Sequence, residues 1–169
     1  MWTYNYSDEL YHHGVKGMKW GVRNERKEEY KDVRKSLRDA HKAVNRQYRL
    51  ANKVTMKNYK NAHKENRNLY KSGKIDKSKY RANTRQLREQ RSAYQNKSEF
   101  TMAVGHYRIK KMERANKALY IKDVKGTNSR AYKSAKRKVN RAVENYGSYR
   151  VQRTPNGSYR VTKTEVYMY

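Results

Sequence analysis

The chain has 169 residues, and its 43 Lys and Arg against 15 Asp and Glu give a formal net charge of +28 at pH 7. Leu, Ile, Val and Phe make up about 13 % of the residues, below the roughly 20 % at which high net charge begins to favour disorder, so a large conventional core is not expected. Cysteine is absent, which excludes disulfides, thiolate metal sites and thiol catalysis, and without a run of about 20 apolar residues or an apolar leader neither membrane spanning nor secretion is expected.

Residues 1–23 are predicted to form an extended docking segment. Three glycines are interleaved there with bulky and basic residues, a pattern unsuited to a regular helix because glycine permits backbone conformations closed to other residues. The residues expected to contact a partner protein are His13, Gly14, Lys16, Gly17, Met18, Lys19, Trp20, Gly21 and Arg23. The alternative left open is that Trp20 and Val22 pack inside the molecule, at the end of the helices that follow.

A family resemblance rests on this segment. Residues 12–23, HHGVKGMKWGVR, resemble a segment that recurs in proteins encoded among the head and structural genes of tailed bacteriophages and prophages, in the glycine spacing, the Lys-Trp-Gly core and the trailing Val-Arg. Many of those proteins have Gln where this chain has Met18. The resemblance covers under a tenth of the chain and implies a phage virion or capsid-assembly context, without implying a biochemical activity.

Residues 24–125 are predicted to form an elongated, coiled-coil-like antiparallel hairpin of two long helices. The first helix is expected from Asn24, a candidate N-cap followed by acidic residues, to Ser72, where Gly73 supplies a stop signal. Its three-four spacing keeps one narrow seam on a single face of the helix. The seam residues are Tyr30, Val33, Leu37, Ala40, Val44, Gln47, Ala51 and Val54.

The second helix is expected from Asp76, another candidate N-cap, to about Val124. Because only the short link from Ser72 to Ile75 joins the two helices, they should fold back on each other antiparallel. Such seams also permit self-association, so a homo-oligomer is among the expected assemblies. The residues available for packing on this helix are Tyr80, Leu87, Tyr94, Phe100, Met102, Ile109, Met112 and Leu119.

Residues 126–147 are predicted to contain a third, shorter helix, from about Ser129 to Tyr146. Basic residues cover its other faces, and it could dock on the long hairpin. Its apolar stripe consists of Tyr132, Ala135, Val139, Ala142 and Tyr146.

Residues 148–169 are predicted to form a C-terminal β-hairpin. Two copies of Ser-Tyr-Arg-Val, at residues 148–151 and 158–161, flank Thr154-Pro155-Asn156-Gly157, a strong turn signal. Residues 165–169 are apolar enough to pair with another element. A lone hairpin is only marginally stable in water, so docking on the helices or on a neighbouring subunit is expected.

The excess of basic residues predicts a polyanion as the partner. Like charges repel over roughly 8 Å at physiological ionic strength, so compaction is unfavourable unless anions neutralise the chain. We expect contacts to a nucleic-acid backbone, DNA in the first instance, with little sequence preference and with an affinity that falls steeply with salt. The residues expected to make these contacts are Lys133, Lys136, Arg137, Lys138, Arg141, Arg150 and Arg160.

Enzymatic activity is not expected. The sequence has no phosphate-binding glycine loop, no zinc-protease motif and no nucleophile elbow. His12 and His13 are adjacent, and the other three histidines are scattered without acidic residues at ligand spacing. No catalytic residue, cofactor or metal site is therefore predicted.

Three functions follow from this reasoning. The first is a phage virion structural protein, either an internal or cargo protein of the head or part of the capsid or portal region, that contacts packaged nucleic acid and docks on other phage structural proteins. Such a protein would lie in the virion, and in the host cytoplasm during assembly. The second is a sequence-independent nucleic-acid-binding protein outside the virion, and the third is a basic scaffold that binds acidic coat-protein surfaces.

Overall fold

The computed structural model describes residues 20–146 and 148–164, and it is mainly helical. The predicted docking residues from His13 to Lys19 and the apolar tail 165–169 lie outside the described residues. Two long helices, a third shorter helix and a C-terminal antiparallel sheet confirm the predicted fold class. In chain order the elements are α1 (Trp20–Lys71), α2 (Lys77–Lys125), α3 (Arg130–Val139), β1 (Val143–Tyr146), β2 (Tyr149–Arg153) and β3 (Tyr159–Lys163).

The chain divides into two compact units, and each long helix contributes to both. The first unit contains the chain up to Ala40 together with Arg108–Glu144, and the second contains His41–Tyr107 and the chain from Asn145 onward. Within each unit the contacts between α1 and α2 run in opposite directions along the two helices. In the first unit Arg26 lies 3.9 Å from Asp123 and Tyr30 stacks on Tyr120. In the second unit His41 contacts His106 and Asn66 contacts Tyr80.

The ends of the long helices follow their sequence signals, with one exception. At Gly73, with φ of 73°, the Gly73 N–H donates to the carbonyl of Tyr70 and the Lys74 N–H to that of Leu69, a Schellman motif. The Asp76 carboxylate accepts from the Lys79 N–H at 2.6 Å, which confirms the predicted N-cap.

The exception is the start of α1. This helix begins at Trp20, so the predicted N-cap at Asn24 is wrong, and Trp20 to Arg23 are helical rather than extended. One glycine inside a helix costs about 1 kcal/mol. Gly21 alone therefore does not stop a helix that continues unbroken for 52 residues.

The seam of α1 in the second unit differs from the predicted one. Its buried or half-buried residues include Val44, Tyr48, Thr55, Tyr59 and Asn66, which repeat every eleven residues. An α-helix turns once in 3.6 residues, so an eleven-residue pattern stays on one face whereas a strict seven-residue pattern drifts away from it. The predicted seam residues Gln47, Ala51 and Val54 are consequently exposed.

The packing face of α2 is also narrower than predicted. Ile109 is buried, but four of the predicted packing residues are at least 44 % exposed, namely Tyr94, Phe100, Met112 and Leu119. Gly105 explains part of this choice of face, because a Cβ atom at that position would lie 3.3 Å from both methyl groups of Val44. Ala103 and Tyr107 lie two positions from Gly105, so they point away from Val44, and they are buried against Val151 of the C-terminal hairpin instead.

The C-terminal hairpin has the predicted register. Val151 pairs with Val161 and Tyr149 with Lys163, and Gly157 takes a φ of 83° in the turn. One face of the hairpin packs on α2, where Val151 forms a buried cluster with Ala103 and Tyr107. The apolar face that a lone hairpin would expose to water is covered in this way.

The third helix is shorter than predicted. It ends at Val139, and Val143–Tyr146 form β1, the first strand of a sheet ordered β1-β2-β3. By spacing alone, Val139 and Tyr146 fit the apolar stripe of a helix, but residues 143–146 fit a short strand equally well. In the structure they form that strand, with Glu144 buried and Asn145 exposed. Pairing with β2 decides between the two patterns, because short apolar runs are ambiguous by period alone.

Candidate nucleic-acid interface

In the first unit, α3 presents a basic surface to solvent. Its N-cap is Ser129, whose hydroxyl accepts from the Tyr132 N–H at 3.1 Å. Tyr132, Ala135 and Val139 are half-buried, which confirms that part of the predicted apolar stripe. The predicted contact residues Lys133, Lys136, Arg137, Lys138 and Arg141 are all exposed, on or directly after this helix.

The sign of the charge on α3 is uniform. Five of its ten residues are Lys or Arg, and none is Asp or Glu. A mixed surface lets neighbouring charges of opposite sign neutralise one another, whereas here every ionised group repels the next. The α3 surface therefore favours a bound anion over solvent alone.

In the second unit, the hairpin presents a separate basic face. Arg150 is opposite Thr162, and Gln152 is opposite Arg160, so these four side chains lie on one face of the two strands. All four are exposed, including Arg150 and Arg160, the two predicted to contact nucleic acid. The two arginines occupy diagonal positions, which are about 7 to 8 Å apart in an antiparallel pair and thus suit neighbouring phosphates.

The opposite face of the hairpin is anchored to α2. Tyr149 is half-buried and forms a side-chain hydrogen bond with Glu99. Burial first, and then the Glu99 carboxylate, raise the pKa of the Tyr149 hydroxyl to about 12, so the hydroxyl stays protonated. Tyr107 and Tyr159 add an edge contact with 5.5 Å between ring centroids. These contacts set which face of the hairpin, and so which arginines, meet solvent.

The first unit also contains four basic residues that the sequence did not single out. Arg34 on α1 and Lys110, Arg114 and Lys117 on α2 line one groove of about 330 Å³. They are far apart in the sequence and meet because α1 and α2 run antiparallel in this unit. The predicted antiparallel hairpin implied that residues before the turn meet residues after it, but the sequence did not fix which residues of the two helices lie opposite one another.

Glu144 pairs with two of the groove's basic residues. Its carboxylate is only 8 % exposed and forms ion pairs with Arg114 and, at 3.7 Å, with Lys110. The second guanidinium nitrogen of Arg114 donates to the carbonyl of Lys138 at 3.3 Å. Arg114 is therefore held between β1 and the end of α3, and its orientation is fixed before any ligand arrives.

The described ranges, 20–146 and 148–164, contain no group of three or more His, Cys, Asp or Glu side chains arranged to hold a metal ion. Likewise, no helix in this part of the chain is long and apolar enough to cross a membrane. His12 and His13 lie outside it.

The docking residues can be placed only in part. Trp20, Gly21 and Arg23 belong to the first two turns of α1, and His13, Gly14, Lys16, Gly17, Met18 and Lys19 fall in the undescribed N-terminal stretch.

Comparison with protein families gives a match to part of the chain. The model of a family of unknown function, DUF7211, matches residues 3–29. That range contains the whole predicted contact set of the docking segment and the start of α1. No curated protein and no solved structure matches the chain. The match identifies residues 3–29 as a recurring segment and assigns it no activity.

Proposed function

We propose that this protein is a phage virion structural protein, associated with the head as an internal or cargo protein or as part of the capsid or portal region, which binds packaged nucleic acid without sequence preference. In this proposal it is not an enzyme. The observation that carries the nucleic-acid part is the solvent-exposed α3 surface, with five cations and no carboxylate in ten residues. The hairpin face with Arg150 and Arg160 adds a second exposed basic site.

The physical basis is counterion release. Each phosphate that a Lys or Arg neutralises frees condensed cations, and the binding constant for duplex DNA then falls with salt concentration with a logarithmic slope of about 0.9 per phosphate. Flexible, exposed lysines on a helix contact phosphates rather than read base edges. Binding of this kind suits a protein packed against a genome of arbitrary sequence.

The virion part of the proposal rests on residues 12–23. Their likeness to a segment of tailed-phage head and structural-region proteins supports docking on another phage structural protein. The family match over residues 3–29 supports a docking segment that recurs in different proteins.

Binding of the full-length chain to random-sequence duplex DNA at several salt concentrations tests the first part. We expect tight binding at low salt, a steep salt slope and equal affinity for unrelated sequences. The variant Lys133→Ala/Lys136→Ala/Arg137→Ala should lower the slope by about 2 to 3. The matched control Lys53→Ala/Lys57→Ala/Lys60→Ala removes three exposed lysines from one helix of the second unit and should change the slope less. Absence of wild-type binding at low salt would refute the proposal.

Mass spectrometry of purified phage particles tests the second part. We expect the protein in wild-type particles, and its loss when residues 1–19 are deleted while DNA affinity in solution stays the same. A protein that binds DNA but never enters particles would instead be a nucleic-acid-binding protein of the infected cell. Displacement of DNA by an acidic coat-protein peptide at lower concentration than by competing DNA would favour the scaffold alternative.

A further inference from the structure

We infer that the groove lined by Arg34, Lys110, Arg114 and Lys117 in the first unit, called here the α1–α2 groove, is a binding site for consecutive phosphates of a nucleic-acid backbone. This inference rests on the proposed function and extends it to residues outside the α3 and hairpin surfaces. The inference gives the bound strand a defined path along the protein, called the track below, in place of a diffuse charged face.

The charge of the α1–α2 groove favours a dianion or two monoanions. Its four cations face one carboxylate of its own lining, Glu113, and the Glu144 carboxylate behind Arg114 and Lys110. Four positive charges against two negative ones leave an excess of two positive charges. The volume of about 330 Å³ has room for a phosphodiester with part of its sugar.

The cations of this groove differ in exposure and in their contacts within the protein, which suits capture of a strand followed by precise contact. Arg114 is 18 % exposed in its side chain and is fixed by Glu144 and by the carbonyl of Lys138. Arg34 and Lys117 are exposed. A guanidinium has five N–H donors, so one that is held in place by two contacts can still donate to a phosphate at little entropic cost, while the exposed cations attract the strand from solution.

A second groove continues the track along α3. It has a volume of about 200 Å³ and shares Arg114 and Lys117 with the first groove, while α3 contributes Ser134 and Lys138. Ile121, Ala131 and Ala135 form its apolar wall, against which a sugar can pack. Because the two grooves have two cations in common, a strand in one can pass directly into the other. A site for one isolated small anion would need only the first groove.

The track also connects the new residues to the predicted ones. Lys138 belongs to the exposed set on α3 and lines the second groove as well. A strand leaving the second groove therefore meets the α3 surface without leaving the first unit.

The test compares two double variants of the full-length chain in salt-dependent DNA binding. Arg34→Ala/Lys117→Ala removes the two exposed cations of the α1–α2 groove, and Lys57→Ala/Lys60→Ala removes two exposed lysines of the second unit. We expect the groove variant to lower the salt slope by about 2 and the affinity at 0.1 M salt by roughly 10- to 100-fold, and the control to change affinity by less than about threefold. Unchanged far-ultraviolet circular dichroism verifies that both variants are folded.

Each outcome separates the two proposals. If wild-type protein binds DNA and the groove variant behaves like the control, the groove inference is wrong and the proposed function stands. If wild-type protein does not bind DNA, both fall. A titration with inorganic phosphate provides the third arm. Saturation of the groove by phosphate without displacement of bound DNA would show a small-anion site and overturn the assignment to a backbone.

Arg114→Lys adds a test that keeps the net charge. Lysine offers a point charge in place of the planar guanidinium, so we expect weaker DNA binding with a nearly unchanged salt slope. Wild-type affinity in this variant would contradict the role of a fixed guanidinium.

Discussion

The Nδ1 atom of His41 on α1 lies 2.7 Å from the Nδ1 atom of His106 on α2. His106 is 2 % exposed, and its Nε2 atom is 2.9 Å from Oδ1 of Asn45. Because an amide oxygen only accepts, Nε2 of His106 carries the proton, and Nδ1 of the neutral ring accepts from the Nδ1–H of His41. The Tyr146 ring stacks on His106, and its hydroxyl lies 3.1 Å from the same His41 nitrogen.

This arrangement predicts loss of stability in mild acid. Burial, and to a lesser extent His41, lower the pKa of His106 from 6.5 to about 4. Between these values the unfolded chain takes up a proton that the folded protein does not. The free energy of unfolding is therefore highest above pH 6.5, and this group lowers it by up to about 1.4 kcal/mol per pH unit as the pH falls towards 4.

Urea unfolding at several pH values measures the effect. We expect His106→Phe to flatten the pH dependence between pH 6.5 and about pH 4, whatever its stability at neutral pH. His63→Gln, in the same unit and beside Tyr59, is the matched control and should retain the wild-type dependence. Equal pH dependence in wild type and His106→Phe would rule out His106 as the responsible group.

The hairpin depends on one small side chain. Val151 has an exposed fraction of 0 % and packs on Ala103 and Tyr107. We expect Val151→Ala to lower the free energy of unfolding by about 1 to 3 kcal/mol, from lost burial and the cavity left behind. Val54→Ala deletes the same atoms at a position that is 57 % exposed, and should cost under about 0.5 kcal/mol. Urea denaturation followed by circular dichroism compares the two, and equal effects would contradict the core assignment.

A buried amide specifies the pairing of α1 with α2 in the second unit. The Asn66 amide nitrogen donates to the carbonyl of Tyr80 and to the Thr84 hydroxyl, each at 3.1 Å, and its oxygen accepts from Asn83 at 3.0 Å. We expect Asn66→Ala to destabilise the protein by about 1 to 3 kcal/mol, since its partners lose their buried hydrogen bonds.

Asn61→Ala is the control for this change, because Asn61 is exposed on the same helix. Thermal unfolding should place the control within about 0.5 kcal/mol of wild type. If Asn66→Ala unfolds like the control, the amide network does not stabilise the helix pair.

The exposed face of the hairpin should contribute to DNA binding through charge alone. We expect Arg150→Ala/Arg160→Ala to lower the salt slope of binding by about 2. Gln152→Ala/Thr162→Ala changes the two neutral residues of the same face and should leave the slope unchanged. A fluorescence anisotropy titration at three salt concentrations distinguishes them, and a slope unchanged in the arginine variant would exclude this face from the interface.

Much of the fold could be predicted because its signals are local. Gly73 and the Asp76 N-cap mark the turn between the long helices, and they act through the backbone within a few residues. The C-terminal hairpin was predictable for the same reason, since a turn containing Gly157 between two copies of Ser-Tyr-Arg-Val sets its register.

The candidate site also has a part that local sequence signals predict and a part that they do not. The exposed cations of α3 and of the hairpin could be predicted, because Lys and Arg side chains are seldom fully buried. The α1–α2 groove could not, because its cations come from two helices, and two of them, Lys110 and Arg114, pair with Glu144, a residue of the unpredicted strand β1.

Composition, charge and the local helix, cap and turn signals of this sequence determined that the protein is mainly helical, basic and without thiol chemistry. Tertiary contacts alone decided which residues of α1 and α2 are buried, that residues 143–146 form a strand, and that two histidines 65 positions apart share a hydrogen bond. The physical reason is the sequence separation of the interacting residues. Caps and turns form between residues a few positions apart, whereas a buried face or a groove forms only when a second element packs against the first.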